Sequence, residues 1–195
     1  EPHDSLAESY HIIARINSIL IDFTQDMWLY ISRTILGQKK IDGETGSSTM
    51  PHKINPIYFE NAEGNCGLAN AILNHLASKL TVSRMQRDLS GSTVVRNQGV
   101  ALGHSFVGLN NVMKGVDLIT INQENMSVEL DKHWEVLAEA IQTIMRKNGI
   151  PGAYNKMKNL TRGNYLDRVT IHKLISDLNI TTDDKNILLK LTPAD

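Results

Sequence analysis

From Asp4 to Leu36 the apolar residues Leu6, Tyr10, Ile13, Ile16, Leu20, Phe23, Met27 and Tyr30 recur at gaps of three and four, and Ile12, Ile19, Ile31 and Ile35 widen the stripe. That period is helical and predicts one rod of about thirty residues, ~45 Å long. A small domain with a closed core seldom uses so long an element. A bundle of long helices does. Gly37 is the expected stop, and the polar stretch Gln38 to Thr45 follows, with Gly43 and Gly46 as hinge-capable residues.

A second helix is expected from Asn55-Pro56 to about Lys79, with Asn55 as cap, Pro56 in the first turn and Glu60 near the positive end of the helix dipole. Its interior holds Gly64 and Gly67, each costing on the order of 1 kcal/mol relative to alanine. Close approach of another backbone would offset that. After a loop rich in Arg and Asp, Thr81 to Ser90, a third helix is expected from near Ser92 to about Gly115, with glycines at 99, 103 and 108. Three long antiparallel helices with small residues at their contacts make part of a bundle, completed by further helices from outside this chain or from other copies of it. A homo-oligomer follows from that reading.

Beyond Val116 the rhythm shortens to helices of roughly ten residues: Gln123 to Leu130, His133 to Lys147 closed by Gly149-Ile150-Pro151, Ala153 to Leu160, Asp167 to Leu178, and Asp183 to Leu191 capped by Thr182. No strand signal exceeds the helical one. The expected fold class is therefore all-α: residues 1–115 in a long-helix bundle that includes the connector 37–56, and residues 116–195 in a small all-helical domain.

Charge and cysteine content narrow the function classes. Lys plus Arg number 20 against 21 Asp plus Glu, so no global field points to nucleic acid or to an anionic membrane, and any anion site must be local. Cys66 is the one cysteine, which excludes an intramolecular disulfide and a cysteine-held metal and favours a reducing compartment. No histidine pair has the HExxH spacing. Apolar runs fall far short of the ~20 residues a membrane span needs, so a soluble, cytoplasmic protein is expected. The start Glu1-Pro2-His3, with neither an initiator Met nor a signal pattern, reads as a piece of something longer.

The chemistry is concentrated in Gly46-Ser47-Ser48-Thr49-Met50-Pro51-His52-Lys53-Ile54-Asn55-Pro56. A connector between bundle helices is normally two to eight residues and inert. This one is longer, hinged by glycine, and sets Ser47, Ser48, Lys53 and Asn55 ahead of a helix N-terminus, where hydroxyls can exchange protons and the cation and amide can hold a carboxylate. Taken singly, each residue has an ordinary structural use in caps and turns. A second constellation is Arg87, Ser92 and Arg96. The last two are four apart and share a face if the helix runs from Ser92, although on spacing alone a solvated charge pair, Arg87 with Asp88 or Arg96 with a neighbour, is the preferred reading.

The eleven-residue run resembles the GSSxMPxKxNP signature of the fumarase/aspartase superfamily. Glu60-Asn61-Ala62-Glu63-Gly64-Asn65, Arg84 to Thr93 through Arg96-Asn97, Asn159-Leu160-Thr161-Arg162-Gly163 and Thr192-Pro193-Ala194 resemble the adenylosuccinate lyases in their bacterial form, and the similarity extends over nearly all 195 residues. The resemblance implies anti β-elimination of fumarate from a substituted succinate, here adenylosuccinate and the succinylated aminoimidazole carboxamide ribotide of purine synthesis, with no metal or organic cofactor. It makes Ser47 the base, acting as an alkoxide in a closed, water-poor loop. Lys53 and Asn55 match residues that bind and polarise the succinyl carboxylate, and Ser48 and Met50 match substrate-binding positions. Glu60 matches a glutamate associated with the signature lysine, while dipole stabilisation remains an equal use for it. Arg87, Ser92 and Arg96 match the residues that hold the nucleotide phosphate.

No histidine here matches the proton donor, which in the family lies in an amino-terminal half that this chain lacks. Family active sites combine segments from three protomers of a tetramer, so the 195 residues alone are expected to be inactive. Other readings are another lyase of the superfamily, such as an argininosuccinate lyase with no phosphate to hold, or a helical assembly module without catalysis.

Overall fold

A computed structural model of the chain describes residues 3–39, 55–85, 88–162 and 166–195. It divides into two compact units, residues 1–122 and 123–195. The division falls after Asn122 instead of at Val116, because Ile119–Ile121 form a strand, β2, that pairs antiparallel with Leu36–Gln38, β1, and so ties this segment to the first unit.

The first unit is built on α1 (Asp4–Ser32), α2 (Ile57–Leu80) and α4 (Gln98–Leu118), with a short α3 (Ser90–Val95) before the last. The long helices pack as expected, α2 antiparallel to the other two. Helix α2 buries Phe59, Ala62, Cys66, Ala69, Leu73, Leu76 and Leu80 at alternating gaps of three and four, with Ala77 widening the line. Burial pushes the Cys66 thiol pKa up, which keeps it protonated and inert. Helix α1 turns a less apolar line inward than its sequence suggests: Ala7, Tyr10, Ala14, Asn17 and Thr24 are buried, whereas Ile12, Ile16 and Ile19 face outward.

A polar layer sets the register of the three rods. Asn17 Nδ2 donates to Asn70 Oδ1 at 3.0 Å and to Ser105 Oγ at 2.8 Å, which joins α1 to both neighbours at one level. Sliding any helix by a turn would strand the buried Asn17 amide, at a cost of about 1–3 kcal/mol for a group left unsatisfied.

Several boundaries differ from the sequence expectations. Helix α1 stops at Ser32, not Gly37; Thr34 turns the chain with φ 57°, and Gly37 lies inside β1. Pro56, not Asn55, caps α2, its carbonyl accepting the Phe59 and Glu60 N–H groups at 3.0 and 3.1 Å. The expected third helix is two helices, broken at Arg96 and Asn97. Close approach falls on α4 and not on the glycines of α2: among the described residues nothing lies within 4 Å of where a Cβ on Gly64 or Gly67 would be, whereas one on Gly108 would overlap the Cys66 sulfur.

The second unit comprises α5 (Gln123–Asp131), a 3₁₀ turn at Trp134–Leu137, α6 (Ala138–Lys147), α7 (Ala153–Thr161), α8 (Arg168–Asp177) and α9 (Thr182–Lys190) around Trp134, Leu137, Ile141, Met145, Met157, Leu166, Ile171, Ile175 and Leu188. Helix α6 closes with Gly149 at φ 68° and Ile150 N–H on the Met145 carbonyl, a Schellman ending. Thr181, not Thr182, caps α9, accepting from Asp184 N–H.

Asp184 is itself buried, and its carboxylate accepts Lys147 Nζ at 2.7 Å, Asn148 Nδ2 at 2.7 Å and Thr181 Oγ at 3.0 Å. These donors, Lys147 first, lower its pKa to about 2. The folded value lies below the unfolded one of about 3.9, so the stabilisation is complete above that pH and fades as pH falls toward the folded value. Thermal melts between neutral pH and pH ~2 are expected to show this loss, and Asp184→Asn to flatten it. Equal acid sensitivity in the variant would refute the assignment.

Candidate functional site

Ser47, Ser48, Met50, Lys53 and Arg87 lie outside the described residues. Asn55 is half-buried immediately before α2, and Pro56 behind it is buried. The first turn of α2 is anchored by Phe59, which is fully buried and meets Phe23 edge-on, ring centroids 6.2 Å apart at 73°. An apolar anchor one residue before Glu60 fixes where that carboxylate begins.

Glu60 is exposed in the first turn of α2, and its Oε1 accepts the indole N–H of Trp28 at 3.0 Å. It lies at the positive end of the dipole and is held in place by a donor from α1, while the association expected with Lys53 falls on a residue outside those described. Sequence reasoning missed Trp28, because it follows Met27 on the apolar stripe and its indole N–H leaves no periodic signal. One turn further along, Gln25 Nε2 donates to Glu63 Oε1 at 3.0 Å.

Ser92 and Arg96 are both exposed, Ser92 in the first turn of α3 and Arg96 at its C-cap. They do not stand on one continuous helix reaching Gly115, because α3 ends at Val95 with Arg96 as its C-cap. Ser92 donates both its N–H, at 3.1 Å, and its hydroxyl, at 2.8 Å, to the Leu89 carbonyl. An anion can still use the hydroxyl through a rotated donor. It cannot also have that N–H without unwinding the turn.

Nor is the start of α3 open. Asp88 Oδ1 accepts the Ser90 N–H at 3.0 Å and its hydroxyl at 2.6 Å, so a carboxylate of the chain already occupies the positive end of this helix. These contacts lower the Asp88 pKa to about 2, with the Ser90 side chain the largest cause and the Arg84 N–H next. The alternative pairing of Arg87 with Asp88 involves a residue outside those described; among the described residues Asp88 is held by Arg84 and Ser90. A cleft of about 240 Å³ beside it is lined by Lys79, Asp88, Gly91, Ser92 and Val95.

Between α2 and α4 runs a second polar cluster that the sequence did not announce. Asn61 Oδ1 accepts from Asn65 at 2.9 Å and from Asn111 at 2.7 Å, and His104 Nδ1 lies 2.7 Å from Asn65 Oδ1. His104 is thereby held as a bundle residue. Among the described residues there is no group of three or more His, Cys, Asp or Glu placed to hold a metal ion, and no helix long and apolar enough to cross a membrane.

The fold has a solved counterpart. The crystal structure of 3-carboxy-cis,cis-muconate lactonizing enzyme from Pseudomonas putida superposes with a TM-score of 0.71 over 98% of this chain and 44% of that one, at 20% sequence identity. This likeness supports the long-helix bundle expected from the sequence and nothing finer. Sequence comparison is closer. The adenylosuccinate lyase of Legionella pneumophila (strain Corby) is 55% identical over 193 residues, 99% of this chain. That of Escherichia coli (strain K12) is 52% identical over 194 residues. The chain spans 42% of the length of each. A family model for lyases matches residues 1–70, and one described as adenylosuccinate lyase C-terminal matches residues 83–195, more than half of the chain. With the signature run, the packing behind it and the second constellation all falling inside these matches, the chain belongs to the adenylosuccinate lyase family.

Proposed function

We propose that this chain is the carboxy-terminal part of a carbon–nitrogen lyase that releases fumarate from adenylosuccinate, giving AMP, and from the succinylated aminoimidazole carboxamide ribotide, giving the free carboxamide, in purine biosynthesis. The observation that carries the reading is the intact run Gly46 to Pro56, set in a chain 55% identical to a curated adenylosuccinate lyase over 99% of its residues.

The chemistry assigns each residue a task. Ser47, as an alkoxide in the closed loop, takes the proton alpha to a carboxylate. Charge then gathers on that carboxylate as an aci-anion, which Lys53 and the Asn55 amide stabilise where it develops. Ser48 and Met50 line the substrate. Glu60, steadied by Trp28, supports the lysine charge. Arg87, Ser92 and Arg96 hold the nucleotide phosphate, with side chains doing the holding since Asp88 fills the end of α3. The acid that protonates the departing nitrogen comes from outside this chain, and no metal or organic cofactor is needed.

The partner in this reading is a homo-oligomer, a tetramer of the full-length protein working in the cytoplasm. Its support is the outward apolar surface of the first unit: Ile19 is 64% exposed, Phe106 66% and Met113 58%, on rods whose other faces are already packed.

The rival within the superfamily, an argininosuccinate lyase, has no phosphate to hold. Nucleotide affinity of the full-length protein before and after Arg96→Ala separates the two. A phosphate contact predicts a loss of roughly 1.5–3 kcal/mol, about ten- to a hundredfold in Kd. An unchanged Kd would refute the phosphate role and favour the rival.

A further inference from the structure

The loop that joins α2 to α3 has almost no apolar anchor. Val82 is 66% exposed, Met85 91% and Leu89 82%, so packing does little to hold its described part in shape. Polar contacts hold it instead, and they converge on one side chain. Asp88 Oδ2 accepts the Arg84 N–H at 2.8 Å and faces the Arg84 guanidinium at 3.4 Å, while Oδ1 accepts the Ser90 N–H and hydroxyl. The carboxylate thus ties the residues before it to the first residue of the helix after it. Lys79, in the last turn of α2, donates to the Ser90 hydroxyl at 2.7 Å and to the Val82 carbonyl at 3.0 Å. The relay Lys79 to Ser90 to Asp88 fixes the start of α3 to the end of α2. Two cations accompany the one carboxylate, so the cluster sets no net negative charge against a nearby anion.

The direction in which α3 leaves this elbow decides where Ser92 and Arg96 stand. We propose that Asp88 is a positioning residue for the anion-holding constellation, which sets Ser92 and Arg96 for a phosphate monoester while touching no substrate itself. The inference rests on the proposed function, because it presumes that these two residues meet a phosphate. Loss of a residue that supports ground and transition states equally raises KM with kcat unchanged, whereas general damage lowers kcat and stability as well.

The test uses the full-length enzyme with adenylosuccinate as substrate and inorganic phosphate as competing probe. Asp88→Ala is expected to raise KM about tenfold and the inhibition constant of phosphate in parallel, with kcat within about twofold. Asp88→Asn, which keeps an acceptor for Ser90, recovers part of that loss. Arg84→Ala, whose guanidinium lies on the exposed side of the carboxylate, leaves both constants within about twofold, since an exposed pair contributes little. If the wild type releases fumarate and Asp88→Ala keeps or lowers the wild-type KM, the positioning role is refuted and the functional reading stands. A drop in kcat and melting temperature with unmoved phosphate inhibition also refutes it. A wild type that releases no fumarate overturns both.

Discussion

Ser47→Ala in the full-length protein is expected to lower kcat for adenylosuccinate by about three orders of magnitude, within the 10²–10⁴ range typical of a lost general base, while KM stays within about threefold. The substitution removes one oxygen. Under the proposed function it leaves the groups assigned to substrate binding, Lys53, Asn55 and the arginines, in place, so ground-state binding should persist. On the proposed function, what disappears is the acceptor for the alpha proton, and water is a poor replacement for a general base in a water-poor site. The separation of kcat from KM is the diagnostic part. Loss of both together would mean that the serine shapes the loop, and an unchanged kcat would remove it as base and revive the reading of a non-catalytic helical module. Fumarate release followed by absorbance, with binding of the intact substrate to the variant measured separately, distinguishes the three.

The helices of the bundle were legible because a gap pattern of three and four over about thirty residues has no other regular solution. Which apolar line faces inward was not. The stripe read on helix α1 is wide: its Tyr10 is buried, its Ile12, Ile16 and Ile19 face outward, and Ala7, Ala14 and Asn17, which were not part of it, lie against the neighbouring rods. Hydrophobic pattern alone cannot rank two faces of a helix when only one of them has its partner in the same chain. Strands β1 and β2 were invisible for a different reason: at three residues each they are too short for an alternation to register. The break at Arg96 and Asn97 carries neither glycine nor proline, so nothing local marked it.

Part of the candidate site was readable through residue type, not period. A run with hydroxyls, a cation and an amide before Asn-Pro is chemically conspicuous wherever the chain puts it. The supporting contacts were hidden, because they depend on which helix lies opposite. Trp28 meets Glu60 across two helices, and Asp88 accepts the Arg84 and Ser90 N–H groups, as short polar side chains do when backbone N–H groups are open to them.

Phe59→Ala is expected to destabilise the first unit by about 3–5 kcal/mol, the range for emptying a fully buried aromatic site. Phe59 has no exposed surface, and its ring lies where a Cβ on Gly115 would come to 2.8 Å, so that glycine is the space the ring occupies. Gly115→Ala alone should therefore also destabilise, by about 1–3 kcal/mol, since the added methyl drives into the ring. The two effects are not independent. With the ring gone the methyl enters the vacated cavity, and the double variant is expected to lose less than the sum, with a coupling of about 0.5–3 kcal/mol. Urea midpoints of the four proteins measure it. Strict additivity would mean that ring and glycine do not share one space, and the placement of the first turn of α2, with Asn55 before it and Glu60 after, would lose its anchor.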